Sequence, residues 1–192
     1  KSDNLEQFCY DSFQITEGPF KGMLRWTDTA WEVCYQDDVA RVLIPSLLKM
    51  LYTGNRDRLP QVVDALEFLT RTTGKDGLRP SRTDNIPLLE KGAIEEMTQD
   101  DCGFACAHYN AFYSASLLLC GRLADRQEFI ELGVKGLEAI MAVYPQTIRE
   151  QSETEELCRL VLPLSWLFWT TGKKKHRDWL YQVAADLQKM KH

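Results

Sequence analysis

Histidine is scarce in this chain, three in 192 residues, and none belongs to a helical His-Glu-x-x-His pattern. Cys102, Cys106 and His108 come nearest to a metal-binding set, but their spacing fits no standard zinc site and a fourth ligand is missing. No metal and no cofactor are therefore expected. The eleven glycines form neither a phosphate-cradling loop nor a nucleophile elbow, which leaves nucleotide and acyl-serine chemistry without a carrier. No run of eighteen apolar residues occurs, so no membrane span and no membrane partner are expected. Positive charge is also short: Lys and Arg number 23 against 28 Asp and Glu, a net of −5. That balance disfavours a nucleic-acid surface. The one basic run, Lys173 to Lys175 with His176 and Arg177, falls on an expected interhelical turn and reads as a solvated one. The first residues, Lys1-Ser2-Asp3-Asn4, show no charged-then-apolar leader, and they lack an initiator Met, as a trimmed or excised chain would. The six cysteines are irregularly spaced and several fall on apolar faces, which suggests buried thiols in a reducing, cytoplasmic setting.

What the chain does have is a helical hairpin used three times. Apolar segments close on turns at Gly54, Gly121 and Gly172, where glycine can adopt the left-handed conformation that ends a helix. An aspartate follows each turn (Asp57, Asp125, Asp178), placed to cap the next helix. The expected pairs are Asp38–Tyr52 with Leu59–Thr72, Phe104–Leu119 with Arg126–Tyr144, and Glu155–Trp169 with Arg177–Lys191. Pro45 is expected to kink the first helix or delay its start to Ile44, and Pro60 suits the first turn of its partner. The first member of each pair is dense in apolar residues and the second is two-faced, so inner helices backed by outer ones are expected. The reading is all-α: one helical domain over 1–192, with a lead-in at 1–24 and three antiparallel hairpins over 25–192. Links within pairs are short and links between pairs (Arg71–Gly103, Pro145–Thr154) are long. With parallel inner helices the long loops gather at one end, where binding and catalytic groups concentrate.

The segment Leu24–Arg41 holds two Trp, one Tyr, four carboxylates and two Arg just before the first inner helix. Trp26 and Trp31 offer flat faces for sugar rings, while Asp28 and Arg41 can bond hydroxyls. Asp37 and Asp38 sit at a helix N-terminus, which favours the ionised form and hence a base or hydroxyl-binding role. The next long loop adds Arg79, Arg82 and Asp84 as ligand-holding candidates. Asp100-Asp101 then precede the second inner helix, which carries His108 and Tyr109. For each of these a structural account also exists: a cap, a surface ion pair, a core aromatic, a satisfied core histidine.

The paired helices, the Trp-rich approach to Asp37-Asp38-Val39-Ala40-Arg41, the Leu51-Tyr52-Thr53-Gly54 turn and Phe68-Leu69…Lys75-Asp76-Gly77 together resemble the six-hairpin (α/α)₆ toroid glycosidases. The resemblance runs from Arg25 to the C-terminus. It implies a carbohydrate-active hydrolase, or a fragment of one, with an oligosaccharide or sugar ligand. Most such enzymes invert, using one carboxylate as acid and one as base. Carried over, Asp37 or Asp38 is the base candidate, and Asp101 or Asp84 is the acid if an apolar setting raises its pKa. Three hairpins make half a toroid, so self-association or the remainder of a longer chain is expected to complete the ring and cover its open inner faces. A lyase or epimerase on this scaffold would use His108 or Tyr109 as proton carrier. The alternative from another class is a non-catalytic helical-repeat module that binds a protein or a glycan.

Overall fold

Two of the three glycine turns end their helices as expected. The helix Gln36–Thr53 closes on Gly54 at φ +74°, whose N–H returns to the Met50 carbonyl. The helix Glu153–Thr171 closes on Gly172 at φ +64° in the same way. A Cβ at Gly172 would meet no atom within 4 Å, so substitution there isolates the backbone cost. Gly172→Ala is expected to lower stability by about 1 kcal/mol, read as a lower urea midpoint at unchanged slope.

The middle turn is built differently. Gly121 is buried inside the helix Ala107–Leu123, where a Cβ would come within 2.7 Å of Ile130 and 2.9 Å of the Arg126 carbonyl. The left-handed residue is Asp125, at φ 55°. The aspartates do not cap, either: the N-cap positions belong to Arg58, Arg126 and Lys173, none with a side-chain capping bond. Asp178 lies within the last helix, paired with Lys174 at 2.6 Å.

The computed structural model describes residues 2–86 and 100–190. Among them the elements are α1 (Ser2–Phe13), β1 (Val33–Cys34), α2 (Gln36–Thr53), α3 (Leu59–Arg71), β2 (Thr83–Asp84), α4 (Ala107–Leu123), α5 (Gln127–Ala142), α6 (Glu153–Thr171) and α7 (Lys174–Lys189). The fold is all-α apart from the antiparallel β1–β2 ribbon, which sets Val33 opposite Asp84 and Cys34 opposite Thr83. Lys191, expected to end the last helix, lies outside the described residues, as does part of the long link after Arg71. Among the described residues no helix is long and apolar enough to cross a membrane.

Three local expectations change. The lead-in carries α1, which docks on α2 through Tyr10 Oη to Ser46 Oγ (3.1 Å) and the Glu6–Lys49 ion pair (2.6 Å). Helix α2 runs unbroken through Pro45. Phe104 to Cys106 are not helical; the Cys106 backbone instead bridges to Ile148 beside the start of α4.

Inner and outer layers are evident. Helix α4 packs against α2, α3, α5 and α6, and every residue from Tyr113 to Gly121 is buried. Helices α3, α5 and α7 keep one polar face, as backing helices do. The α4–α5 contact is unusually close because two glycines of α5 face it. A Cβ on Gly133 would lie 2.8 Å from the Ser114 carbonyl, and one on Gly136 would lie 2.6 Å from both Ser114 Oγ and the Gly77 carbonyl. The inner helices run parallel. Their first turns meet through Asp37, His108 and Glu156. Their far ends meet where Arg122 lies 3.8 Å over the Trp169 ring and Arg56 reaches the Leu123 carbonyl. The ribbon, Asp38, Asp84 and Asp101 therefore all stand at the end where the inner helices begin.

Candidate functional site

Three parallel helix N-termini converge on one buried carboxylate. Asp37, in the first turn of α2, is only 3% exposed. Its Oδ2 accepts from Arg41 Nη2 at 2.9 Å and faces His108 Nε2 of α4 at 3.5 Å and Arg159 Nη1 of α6 at 3.9 Å. The second guanidinium nitrogen of Arg41 donates to Asp38 Oδ1, also at 2.9 Å, so one planar cation spans both carboxylates. Asp38 remains 41% exposed.

The setting of Asp37 works against the preference expected from its place at a helix start. Helix N-termini favour the anion, yet burial pushes the Asp37 carboxyl above the usual aspartate range, and the neighbouring Asp38 charge adds to the rise. Arg41, His108 and Arg159 pull the other way without cancelling it. Asp37 is thus the buried member of the pair and Asp38 the water-facing one.

Helix α6 fixes His108 by its backbone. The His108 N–H donates to buried Glu156 (2.9 Å), and the His108 carbonyl accepts from Arg159 (3.3 Å). The same Glu156 carboxylate accepts from the Glu150 N–H at 3.1 Å, and Arg159 lies 5.7 Å over the Phe112 ring. With its two ends held, the imidazole presents Nε2 to Asp37, while its buried Nδ1 has no hydrogen-bond partner among the described residues. Tyr109 packs beside it at 4.8 Å, its hydroxyl pushed up to about 12, chiefly by burial and then by Glu150.

On the other side of Arg41 lies a small aromatic cleft of about 150 Å³ that holds Asp38, Arg25, Trp26 and Tyr35. Trp26 is 54% exposed, with its ring 5.7 Å from that of Tyr35. Arg82 reaches the Tyr35 hydroxyl at 3.3 Å and pairs with exposed Asp84 at 3.1 Å, which places both on the rim.

The remaining candidates are placed elsewhere. Arg79 is fully buried and cannot meet a ligand: its guanidinium bonds Thr72 Oγ1 (2.7 Å) and Gln36 Oε1 (2.7 Å), and its N–H bonds Asn110 Oδ1 (2.9 Å). It ties the loop to α2 and α4 as scaffold. Trp31 is half-buried against Phe20 at 5.8 Å and belongs to the core edge. Asp28 is exposed on a turn whose carbonyl accepts from Arg25. Asp101 is exposed rather than set among apolar groups, and it makes no hydrogen bond or ion pair among the described residues. Among the described residues, no group of three or more His, Cys, Asp or Glu is placed to hold a metal.

Arg159 and Glu156 were missed as site residues, although a signal for them exists. Asp37-Asp38-x-x-Arg41-x-x-x-Pro45 on α2 is repeated as Glu155-Glu156-x-x-Arg159-x-x-x-Pro163 on α6. Two inner helices thus bring the same acid–arginine–proline frame to either side of His108. No protein-family model, curated protein or solved structure matches this chain.

Proposed function

We propose that this chain is a carbohydrate-active hydrolase of the toroid-glycosidase kind, or a part of one. The observation that carries this reading is Asp38, half-exposed beside the open Trp26–Tyr35 surface and joined through Arg41 to the buried Asp37. A sugar ring stacks on Trp26. Asp38, the carboxylate that lines the cleft, takes a proton from water, whose oxygen bonds to the anomeric carbon as the C–O bond breaks. Asp84 on the rim, the acid that the resemblance implies, gives its proton to the departing oxygen. Arg41 keeps the two carboxyl groups in register, and His108 and Arg159 stabilise Asp37 once it is ionised. Parallel inner helices, each backed by an outer one, support the toroid resemblance.

A panel of aryl and alkyl hexosides and common oligosaccharides tests this reading. Release of reducing sugar by the wild-type chain is expected, with Trp26→Ala raising KM about tenfold, as loss of a stacking face should, and leaving kcat nearly unchanged. No release from any member would remove the hydrolase reading. A second reading, a module that binds a protein or a glycan, is favoured by the apolar side chains left open on the inner and outer helices. These include Leu48 and Leu51 on α2, Trp169 on α6 and Tyr181 on α7. Glycan binding without turnover would favour it.

A further inference from the structure

The aromatic cleft does not end at Asp38. Cys9 and Val42 line both it and a larger groove of about 410 Å³ between α1 and α2, floored by Leu5, Cys9, Val42 and Pro45. Arg41, which bridges the two carboxylates, also borders this groove. We propose that the groove receives the apolar aglycone of a glycoside, an alkyl or aryl group, whose sugar lies on Trp26. This rests on the hydrolase reading and specifies its substrate class.

The polar groups around the groove are already committed. The Ser46 hydroxyl donates to the Val42 carbonyl (3.4 Å) and accepts from Tyr10 (3.1 Å). Arg41 is divided between Asp37 and Asp38, and Glu6 is paired with Lys49 at 2.6 Å. A second sugar ring placed here would press hydroxyls against Leu5, Val42 and Pro45, which offer them no hydrogen bond, a penalty for buried polar groups. A hydrocarbon chain loses nothing and gains the apolar floor. The volume falls within the range of small-molecule sites. The arrangement therefore selects glycosides with a greasy leaving group over extended oligosaccharides.

The test compares methyl and hexyl glycosides of glucose, galactose and mannose, with three measurements on the whole chain: affinity by calorimetry, hydrolysis, and alkylation of Cys9 by iodoacetamide followed by peptide mapping. Exposed Cys158 serves as the internal control. At least one hexyl glycoside is expected to bind ten or more times tighter than its methyl counterpart and to slow Cys9 alkylation without slowing that of Cys158. Leu5→Glu puts a charge into the groove at a residue 64% exposed, where folding tolerates it, and should abolish both effects. Equal affinities, no binding by either series, or unprotected Cys9 would overturn the aglycone site, even if methyl glycosides are hydrolysed and the hydrolase reading stands. Chain-dependent binding and Cys9 protection without hydrolysis of any glycoside would uphold the groove's preference and defeat the hydrolase reading instead.

Discussion

Asp37→Asn should lower kcat toward glycosides by about tenfold, through the charge that Arg41 shares with Asp38, while leaving the fold as stable as before at neutral pH, or slightly more stable. The rate loss is that of a positioning residue, which acts on Asp38 through Arg41 rather than on the substrate. The stability result follows from the direction of the Asp37 shift. Burial, then Asp38, raises its folded pKa above the ordinary value of 3.8. Between that value and the raised one, the folded chain holds more protons than the unfolded chain, so stability falls as pH rises through this window. Above it, the native state carries an ionised group in a setting that disfavours the charge. Asparagine removes that cost and still accepts from Arg41, which is 46% exposed on its side chain and keeps Asp38. The wild-type chain should therefore gain stability on mild acidification from this group, and the variant should lack that component. Thermal melts of both proteins from pH 4 to 8, beside kcat, measure the difference. A loss of about 3–5 kcal/mol in the variant would instead mark Asp37 as the structural hub of a buried ion-pair network.

Gly136→Ala carries the second large effect, and its sign is opposite to the usual one. In a helix interior this change ordinarily stabilises by about 1 kcal/mol. Here the new Cβ would stand 2.6 Å from the Gly77 carbonyl and 2.6 Å from Ser114 Oγ. Gly77 cannot give way easily, because it sits at φ +79° with its own Cβ position blocked 2.5 Å from the Gly136 nitrogen. Overpacking two backbones should cost about 3 kcal/mol, a fall in Tm of roughly 6–12 °C for a chain of this size. The same shift would loosen the loop that delivers Arg79 to Gln36 beside Asp37. A melt at or above the wild-type Tm would show that α5 and the 74–79 loop are not in backbone contact.

The helical hairpins were legible because local chemistry writes them. Apolar segments alternate with two-faced ones, and Gly54 and Gly172 end helices where a left-handed residue is needed. Gly121 misled because a glycine required for close packing against Ile130 looks, in sequence, like one required for a turn. Helix α1 went unread since its apolar side is sparse and its stability comes from docking on α2. The Asp37-Asp38-Arg41 centre was legible as a cluster, but not the direction of the Asp37 shift: a helix N-terminus favours the anion, while tertiary burial raises the carboxyl. Arg79 read as a surface cation because nothing local announces Thr72, Gln36 and Asn110 as its partners. Asp101 read as a second acid by analogy with Asp37-Asp38 before the neighbouring inner helix, yet it remains exposed.

Asp37 lies where three helices begin, and burial there raises its carboxyl above the ordinary aspartate range. Carbon-13 NMR titration of its side-chain carboxyl, assigned by comparison with Asp37→Asn, measures this directly. An inflection displaced upward from 3.8 is the result required. An inflection at or below that value would make Asp37 an ordinary ion-pair partner of Arg41 and contradict the rise that burial imposes.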